Sequence, residues 1–401
     1  MEGKTIAGPA LTPEQLAGFE RDGFLILDDP CPPELVDAIV EEFEGRFNDR
    51  FDPGPETMRD GVLYAVHRKL RGAYHWQRIQ NAWKVSDVAR ELALAPRVLS
   101  ALEALYGRRP KPFQTLNFPV GTQQSAHADA MFFASEPDGY MCGVWVALED
   151  ADTENGPLVY YPGSHKLPSP SIERVEEAIG ERIDPTRFET QGELRSERNR
   201  QYAAYCEHLI ESHALKAQHA TITKGQAMIW ASNLLHGGAL QKDPARTRRS
   251  QVSHYLFAGS RLHRPLWSEQ GRVHWDYPVW VRDEPPAFSP RALQETVAAN
   301  VPAGSKVLVV TRGDSSLGDA PVDSSAFPQD EGGNPLPRPI SGVGGVEMLE
   351  RLRGAGAEYM VVPPDGVGML QVRMPEVQQV LEKEYPPIFV DGAICAIYDL
   401  R

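Results

Sequence analysis

The sequence predicts a mainly β domain of sandwich or barrel type with flanking helices over residues 1–284, followed by a small α/β domain over residues 304–401. From Pro112 to about His263, short apolar runs alternate with Gly, Pro and Asp turns, which is the texture of many short strands. The closing stretch instead alternates strand-like apolar runs with helical patterns. Between the two, residues 285–303 are loose and proline-containing, which suits a linker.

The elements follow in order. Thr12-Pro13-Glu14-Gln15 opens the first helix, with Thr12 as cap, Pro13 at the first helical position and Gln15 completing a capping box. Gly23 should end it, because a left-handed cap conformation costs glycine little. Phe24–Leu27 reads as a buried strand, and Pro33 opens a second helix to about Phe47. Residues 50–80, rich in Arg, His and aromatics, are expected to be irregular. Helical patterns occupy 85–93 and 96–106, ending at Gly107. Strands are expected at Phe113–Phe118, Met141–Leu148, Leu158–Tyr161, Thr221–Ile222, Ala227–Trp230 and Ser250–Phe257. The polar helical stretch 172–215 interrupts them as an insertion. It sits where a lid over a barrel mouth would attach, although such insertions are more often structural elaboration. The last domain should run as strand Lys306–Thr311, a Gly/Ser/Pro/Asp-rich loop to about Gly345, helix Val346–Gly354, strand Tyr359–Val362, helix Pro375–Tyr385 and strand Ala393–Tyr398.

The net charge of -14 offers no positive field to recruit phosphates, which argues against a nucleic-acid or anionic-membrane partner. Cys31, Cys142, Cys206 and Cys395 are scattered with no CxxC pair, so neither a disulfide framework nor a zinc ribbon is expected. No apolar run approaches the roughly 18 residues a spanning helix needs. The N-terminal segment lacks the basic start and apolar stretch of a signal peptide. The expectation is a cytoplasmic protein with no membrane span.

The sharpest chemical feature is His127-Ala128-Asp129. On an extended segment, positions i and i+2 share a face, so an imidazole and a carboxylate can reach one metal ion. His236 is the candidate second imidazole: it follows the apolar run Ala227–Trp230 and precedes Gly237-Gly238, where ligand and backbone can approach closely. Two histidines and a carboxylate on one face of an iron ion leave open positions for a chelating keto acid and dioxygen. No HExxH helix or histidine triplet points to zinc.

Around this core, Thr115-Leu116-Asn117-Phe118 and Gln124-Ser125-Ala126-His127-Ala128-Asp129 precede Gly143-Val144-Trp145-Val146-Ala147-Leu148-Glu149-Asp150. Then come Asn155-Gly156-Pro157-Leu158, Pro162-Gly163-Ser164-His165, the distal Gly225…Trp230…His236-Gly237-Gly238 and an arginine-led strand ending His254-Tyr255. In that order, over roughly residues 10–265, these runs resemble the phytanoyl-CoA dioxygenase family of iron/2-oxoglutarate oxygenases. The resemblance implies a double-stranded β-helix, the jelly roll of cupin type. It implies Fe(II) on His127, Asp129 and His236, with 2-oxoglutarate and O2 as co-substrates. It also implies one arginine for the distal carboxylate of 2-oxoglutarate, where a planar guanidinium fork fits. Arg246, Arg248 and Arg249 compete; counting back from His254-Tyr255 favours Arg248, and on an alternating strand Arg248 and Arg249 face opposite ways. By the same matching, Gln114 and Asn117 resemble residues of the co-substrate pocket. They fit equally well as ordinary polar strand residues. Trp145 fits a barrel aromatic that is core, and His165 a turn residue.

The activity implied is hydroxylation of an aliphatic C–H with release of succinate and CO2. Asp129 stands where related halogenases have a small residue, so hydroxylation is favoured over halogenation. Two other classes fit the sequence less well: a non-catalytic binding protein on an inactivated jelly roll, and a metal-dependent cupin-type isomerase or hydrolase. Phe132, Phe133, Tyr160 and Tyr161 lie near the motif, as core or as pocket wall. His75, beside Tyr74 and Trp76, is a candidate for a substrate entrance. His67, His208, His213, His219, His263 and His274 have no partner spacing. The C-terminal domain loosely resembles a module of bacterial sugar-transfer and surface-glycan proteins, which favours a small-molecule, glycan, glycolipid or natural-product substrate. The domain is otherwise expected to pack on the first or to mediate a homodimer.

Overall fold

The computed structural model describes residues 11–47, 57–59, 62–68, 75–84, 86–269, 272–282, 290–311, 315, 317–318, 320–330, 333–336 and 343–401. The chain divides into two compact units, one of residues 1–276 with 281–285 and the other of 277–280 with 286–401.

In the first unit, Thr12 caps helix α1 (Pro13–Asp22). Its hydroxyl accepts from the Gln15 amide at 3.2 Å, while the Gln15 side chain accepts from the Thr12 amide at 2.9 Å. Gly23 ends the helix at φ 82°, where an added side chain would also strike the His165 ring. Strand β1 (Phe24–Leu27) and helix α2 (Pro33–Phe47) follow. Residues 50–80 depart from the expected irregular chain, because they supply three antiparallel strands, β2 (Thr57–Arg59), β3 (Val62–Arg68) and β4 (His75–Gln80). Tertiary pairing overrides a weak local pattern here: Ile79 and Gln80 lie opposite Asn117 and Leu116 at the edge of an existing sheet.

Helices α3 (Asp87–Ala93) and α4 (Pro96–Tyr106) come next, the second closed by Gly107. The β-rich stretch then runs through β5 (Pro110–Phe118), β6 (Ala134–Glu136), β7 (Met141–Ala147) and β8 (Leu158–Tyr160). The insertion is two helices, α5 (Ile172–Ile179) and α6 (Gln191–Ser212). After it come β9 (Gln218–His219), β10 (Ala227–Ala231), β11 (His236–Gly238), β12 (Ser250–Phe257), β13 (Arg261–His263) and β14 (Trp275–Asp276). The strand expected at Thr221–Ile222 is reduced to a single bridge between Ile222 and Ala151, and β9 lies just before it.

The large sheet has the order β1-β10-β7-β12-β5-β4-β3-β2, and all its pairs are antiparallel. Two small sheets, β11-β8-β9 and β14-β13-β6, accompany it, without closure into a barrel among the described residues. Strand β7 is apolar on both faces and buried at every position. Cys142, Val144, Val146, Tyr255 and Phe257 pack under Val36, Ile39, Leu92, Val98 and Leu102 of the helices. The alternate residues Trp145, Ala147, Met228, Trp230 and Val252 join Leu158, Tyr160 and Leu234 in a second core on the opposite side.

The second unit contains α7 (Pro290–Asn300), β15 (Lys306–Val310), β16 (Asp323–Phe327), α8 (Val343–Gly354), β17 (Tyr359–Val362), α9 (Pro364–Arg373), α10 (Pro375–Glu384), β18 (Pro387–Asp391) and β19 (Cys395–Asp399). Its sheet has the order β16-β15-β17-β19-β18, parallel across β16, β15 and β17 and antiparallel beyond. The expected linker 285–303 therefore contains a helix. Leu293, Val297 and Val301 recur every fourth residue and form an apolar stripe against Val307, Val309 and Val361. The expected loop to Gly345 likewise contains β16, whose polar Asp323-Ser324-Ser325 start hides it from an apolar-run search. Helix α9 and strand β18 are further additions, and Arg312, Gly313 and Asp314 lie outside the described residues. On the opposite face, Leu308, Val310, Met360 and Val362 meet Leu349, Leu370 and Leu381.

Leu349 is fully buried in that cluster. Leu349→Ala should cost about 2–5 kcal/mol of stability, read by equilibrium urea unfolding. A loss well under 1 kcal/mol would show that this side chain is not packed as described.

Candidate metal centre

Ala128 is extended, with φ −111° and ψ 136°, so His127 and Asp129 project to the same side. Asp129 then begins a short 3-10 turn, Asp129–Met131. The third residue arrives by strand pairing. His127 and His236 exchange two backbone hydrogen bonds, each 2.8 Å, as an antiparallel bridge. Their imidazole centroids lie 4.5 Å apart. Each Nε2 is close to Asp129 Oδ1, at 4.0 Å for His127 and 3.9 Å for His236. One donor atom from each of the three residues falls within 4.8 Å of the others.

Both rings are held from behind. His127 Nδ1 lies 2.9 Å from the Ser125 carbonyl and His236 Nδ1 lies 3.0 Å from the Leu234 carbonyl. A carbonyl only accepts, so each Nδ1 carries the proton and each Nε2 is left with a lone pair facing the centre. Burial and the neighbouring His236 push His127 down to about 4, which keeps it neutral. Burial alone would raise the Asp129 carboxyl, but His236, His254 and His127 outweigh it and hold Asp129 well below the usual carboxylate range. A neutral His127 and an ionised Asp129 are the protonation states a divalent cation requires.

The outer oxygen of Asp129 is also held. Trp230 Nε1–H donates to Oδ2 at 2.7 Å, and His254 Nε2 stands 3.4 Å from the same atom. His254 Nδ1 in turn meets Gln114 Oε1 at 2.9 Å. Trp230 and His254 were not singled out as site residues from the sequence. The available signal was parity: His254 shares a strand face with Val252 in the interior core, and Trp230 shares one with Met228. Gly143 makes room for the indole, since a Cβ there would lie 2.4 Å from two carbons of the Trp230 ring.

The three competing arginines separate cleanly. Arg246 is ion-paired with Asp152 at 2.9 Å, and Arg249 with Glu149 at 3.0 Å. Arg248 lies between them in sequence but faces the interior, 2% exposed. Its Nη1 donates to Ser250 Oγ at 2.9 Å, its guanidinium lies 5.2 Å from the Trp145 ring, and its Nε has no partner among the described residues. Burial pushes this guanidinium down to about 10, with Glu149 only partly opposing. A buried cation without a carboxylate partner is costly unless an anion completes the site. Trp145 is core, as expected, but its buried Nε1 also lacks a partner among the described residues.

Asn117 is not brought to this site, which corrects the co-substrate expectation for it. Asn117 Nδ2 donates to Gln251 Oε1 at 2.9 Å, and Gln251 donates to the Ala89 carbonyl of α3, which places both on the helix-covered face. Strand parity is the cause, because Leu116 and Phe118 take the interior positions. Gln114 has interior parity but touches His254. Of the nearby aromatics, Phe132 stands edge-on to His127 at 5.8 Å and Phe133 is tilted against His254 at 5.6 Å. Tyr160 packs on Phe24 in the core, and Tyr161 packs against the cluster under the insertion. His165 is a turn residue, with Nε2 3.2 Å from the Glu20 carbonyl. The side chains of His67 and His75 lie outside the described residues.

Gly143→Ala should force the Trp230 indole off Asp129 or strain the sheet, at a cost of about 1–3 kcal/mol. Denaturant unfolding and tryptophan emission read this together. Unchanged stability with unchanged emission would contradict the packing described.

The model of the family described as phytanoyl-CoA dioxygenase matches residues 19–249. Among curated relatives, phytanoyl-CoA dioxygenase domain-containing protein 1 of Mus musculus is 28% identical over 191 residues, covering 39% of this chain and 66% of the relative. The Danio rerio protein of the same name is 36% identical over 135 residues, covering 32% and 41%. The chain therefore spans less than two thirds of the length of these relatives. Among solved structures, the non-heme alpha ketoglutarate dependent epimerase SnoN from nogalamycin biosynthesis aligns with TM-score 0.45 and 20% identity, over 63% of this chain and 85% of that one. With more than half of its length matched by the family model, the chain belongs to the phytanoyl-CoA dioxygenase family.

Proposed function

We propose that this protein is an Fe(II)- and 2-oxoglutarate-dependent oxygenase on a double-stranded β-helix, hydroxylating an aliphatic C–H of a small-molecule, glycan or natural-product substrate. The observation that carries the reading is the pairing of a two-histidine, one-carboxylate cluster with a buried arginine that has no carboxylate partner among the described residues. The donor set suits iron(II), since imidazole and carboxylate on one face leave the other face open. Arg248 suits the distal carboxylate of 2-oxoglutarate, where its free Nε–H offers one arm of a fork. Bound iron and 2-oxoglutarate would use dioxygen to oxidise the substrate C–H to C–OH, leaving succinate and CO2.

The chain's own residues prepare that chemistry. His127 and His236 present fixed lone pairs, and Asp129 offers Oδ1 while Trp230 and His254 occupy Oδ2. Asp129 also fills the position that a halide would need, which favours hydroxylation. Phe118, Trp145, Leu158 and Val252 keep water from the interior face, so Arg248 acts in a low-dielectric setting. Phe132, beside His127, would give the substrate an apolar wall.

The test is succinate release by purified protein supplied with Fe(II), 2-oxoglutarate and air. Wild type should turn over 2-oxoglutarate, and Asp129→Ala should fall to background. Arg248→Leu should raise the apparent KM for 2-oxoglutarate by about tenfold or more, because a charge-assisted fork is lost. An Asp129→Ala protein with wild-type rate would overturn the metal assignment. An unchanged KM in Arg248→Leu would overturn the co-substrate assignment alone.

A further inference from the structure

The helical insertion meets the metal centre through one hydroxyl. Tyr202, on α6, is 3% exposed and reaches Ala128, the residue between His127 and Asp129. Its oxygen accepts from the Ala128 amide at 2.8 Å and donates to the Ala128 carbonyl at 3.1 Å. Along an extended chain, successive residues turn their backbone groups to opposite edges. His127 turns its amide and carbonyl to His236, so Ala128 turns its own pair to the other edge. Among the described residues, the amide finds only the Tyr202 hydroxyl there, while the carbonyl also accepts from the Met131 amide at 3.2 Å. The hydroxyl therefore stands where a neighbouring strand would pair.

The surroundings reinforce this bond. Tyr202, Tyr205 and Cys206 of α6 share one apolar cluster with Ala128, Met131 and Leu235. The helix thus presses on the residue between two ligands and on the residue preceding the third. The Phe132 ring stands edge-on to both Tyr202 and His127, at 6.0 and 5.8 Å. Burial raises the Tyr202 phenol well above its ordinary value, so it stays protonated and can both donate and accept.

We propose that Tyr202 is a positioning residue for the metal: its hydroxyl holds Ala128 extended so that His127 and Asp129 present their donor atoms together, which makes the insertion a brace on metal affinity. This rests on the metal-centre reading above. The bonds of His127 to His236 and of the Ala130 amide to the Ser232 carbonyl flank Ala128 but do not engage its amide. Without the phenolic oxygen the Ala128 amide loses its acceptor and the Ala128 carbonyl one of its two donors. The two peptides that set the spacing between His127 Nε2 and Asp129 Oδ1 are then each held at their carbonyl alone, by His236 and by Met131.

Tyr202→Phe removes that one atom and keeps the ring. Apo protein titrated with Co(II) reports both affinity and ligand-field absorption. Tyr202→Phe should bind Co(II) about ten- to hundredfold more weakly, with an altered band, as when an outer-shell partner is lost. Tyr205→Phe, on the same helix with no bond to Ala128, should keep wild-type affinity and band. Hydrogen exchange of wild type gives a second reading, in which the Ala128 amide should be protected in the apo protein and more so with Co(II). Wild-type affinity and spectrum in Tyr202→Phe, an equal loss in Tyr205→Phe, or an Ala128 amide exchanging like an exposed one would each overturn the proposal. Wild-type protein that takes up no Co(II) would instead overturn the metal-centre reading beneath it.

Discussion

The site depends on the antiparallel backbone exchange between His127 and His236. Two 2.8 Å hydrogen bonds turn residues far apart in sequence into cross-strand neighbours, and everything at the centre is measured from that pair. Asp129 follows because Ala128 is extended, and each imidazole is then oriented by the carbonyl two residues before it. Gly237 and Gly238 make the approach possible, since a side chain at either would run into the backbone of residues 123–126.

Two buried charges, handled in opposite ways, define the interior face. Asp129 Oδ2 accepts from Trp230 and lies near His254, while His127 and His236 turn their Nε2 atoms toward Oδ1. Among the described residues, the Arg248 guanidinium has only Ser250 and the face of Trp145. A folded chain tolerates the first arrangement indefinitely and the second only at a cost. Desolvation is already spent at Arg248, so an arriving carboxylate gains the interaction without the full penalty of dehydrating its partner. The neighbouring arginines show the contrast: Arg246 and Arg249 each carry an acidic partner outside the interior.

Much of this was legible from local patterns. The Thr12–Gln15 capping box, the Gly23 and Gly107 stops and the apolar runs of β7, β10 and β12 are encoded within a few residues and formed where expected. Strands β2–β4 and helix α7 were missed because tertiary partners stabilise them more than local alternation does. In α7 the stripe of Leu293, Val297 and Val301 was present but overshadowed by the neighbouring prolines. Asn117 was misplaced by matching position without tracking parity, since one step along a strand moves a side chain to the other face.

By itself the sequence singled out the candidate donor set. His127-Ala128-Asp129 places two donors on one face wherever its backbone is extended, and the ordered motifs around it named His236 and favoured Arg248. Only the tertiary structure decided what surrounds them: Trp230 and His254 by the far oxygen of Asp129, Tyr202 on the Ala128 peptide, and Arg248, of the three candidate arginines, as the one with no acidic partner among the described residues. The physical reason is range. Side-chain periodicity acts over a few residues, whereas the bonds that tune a buried site join segments that only folding brings together.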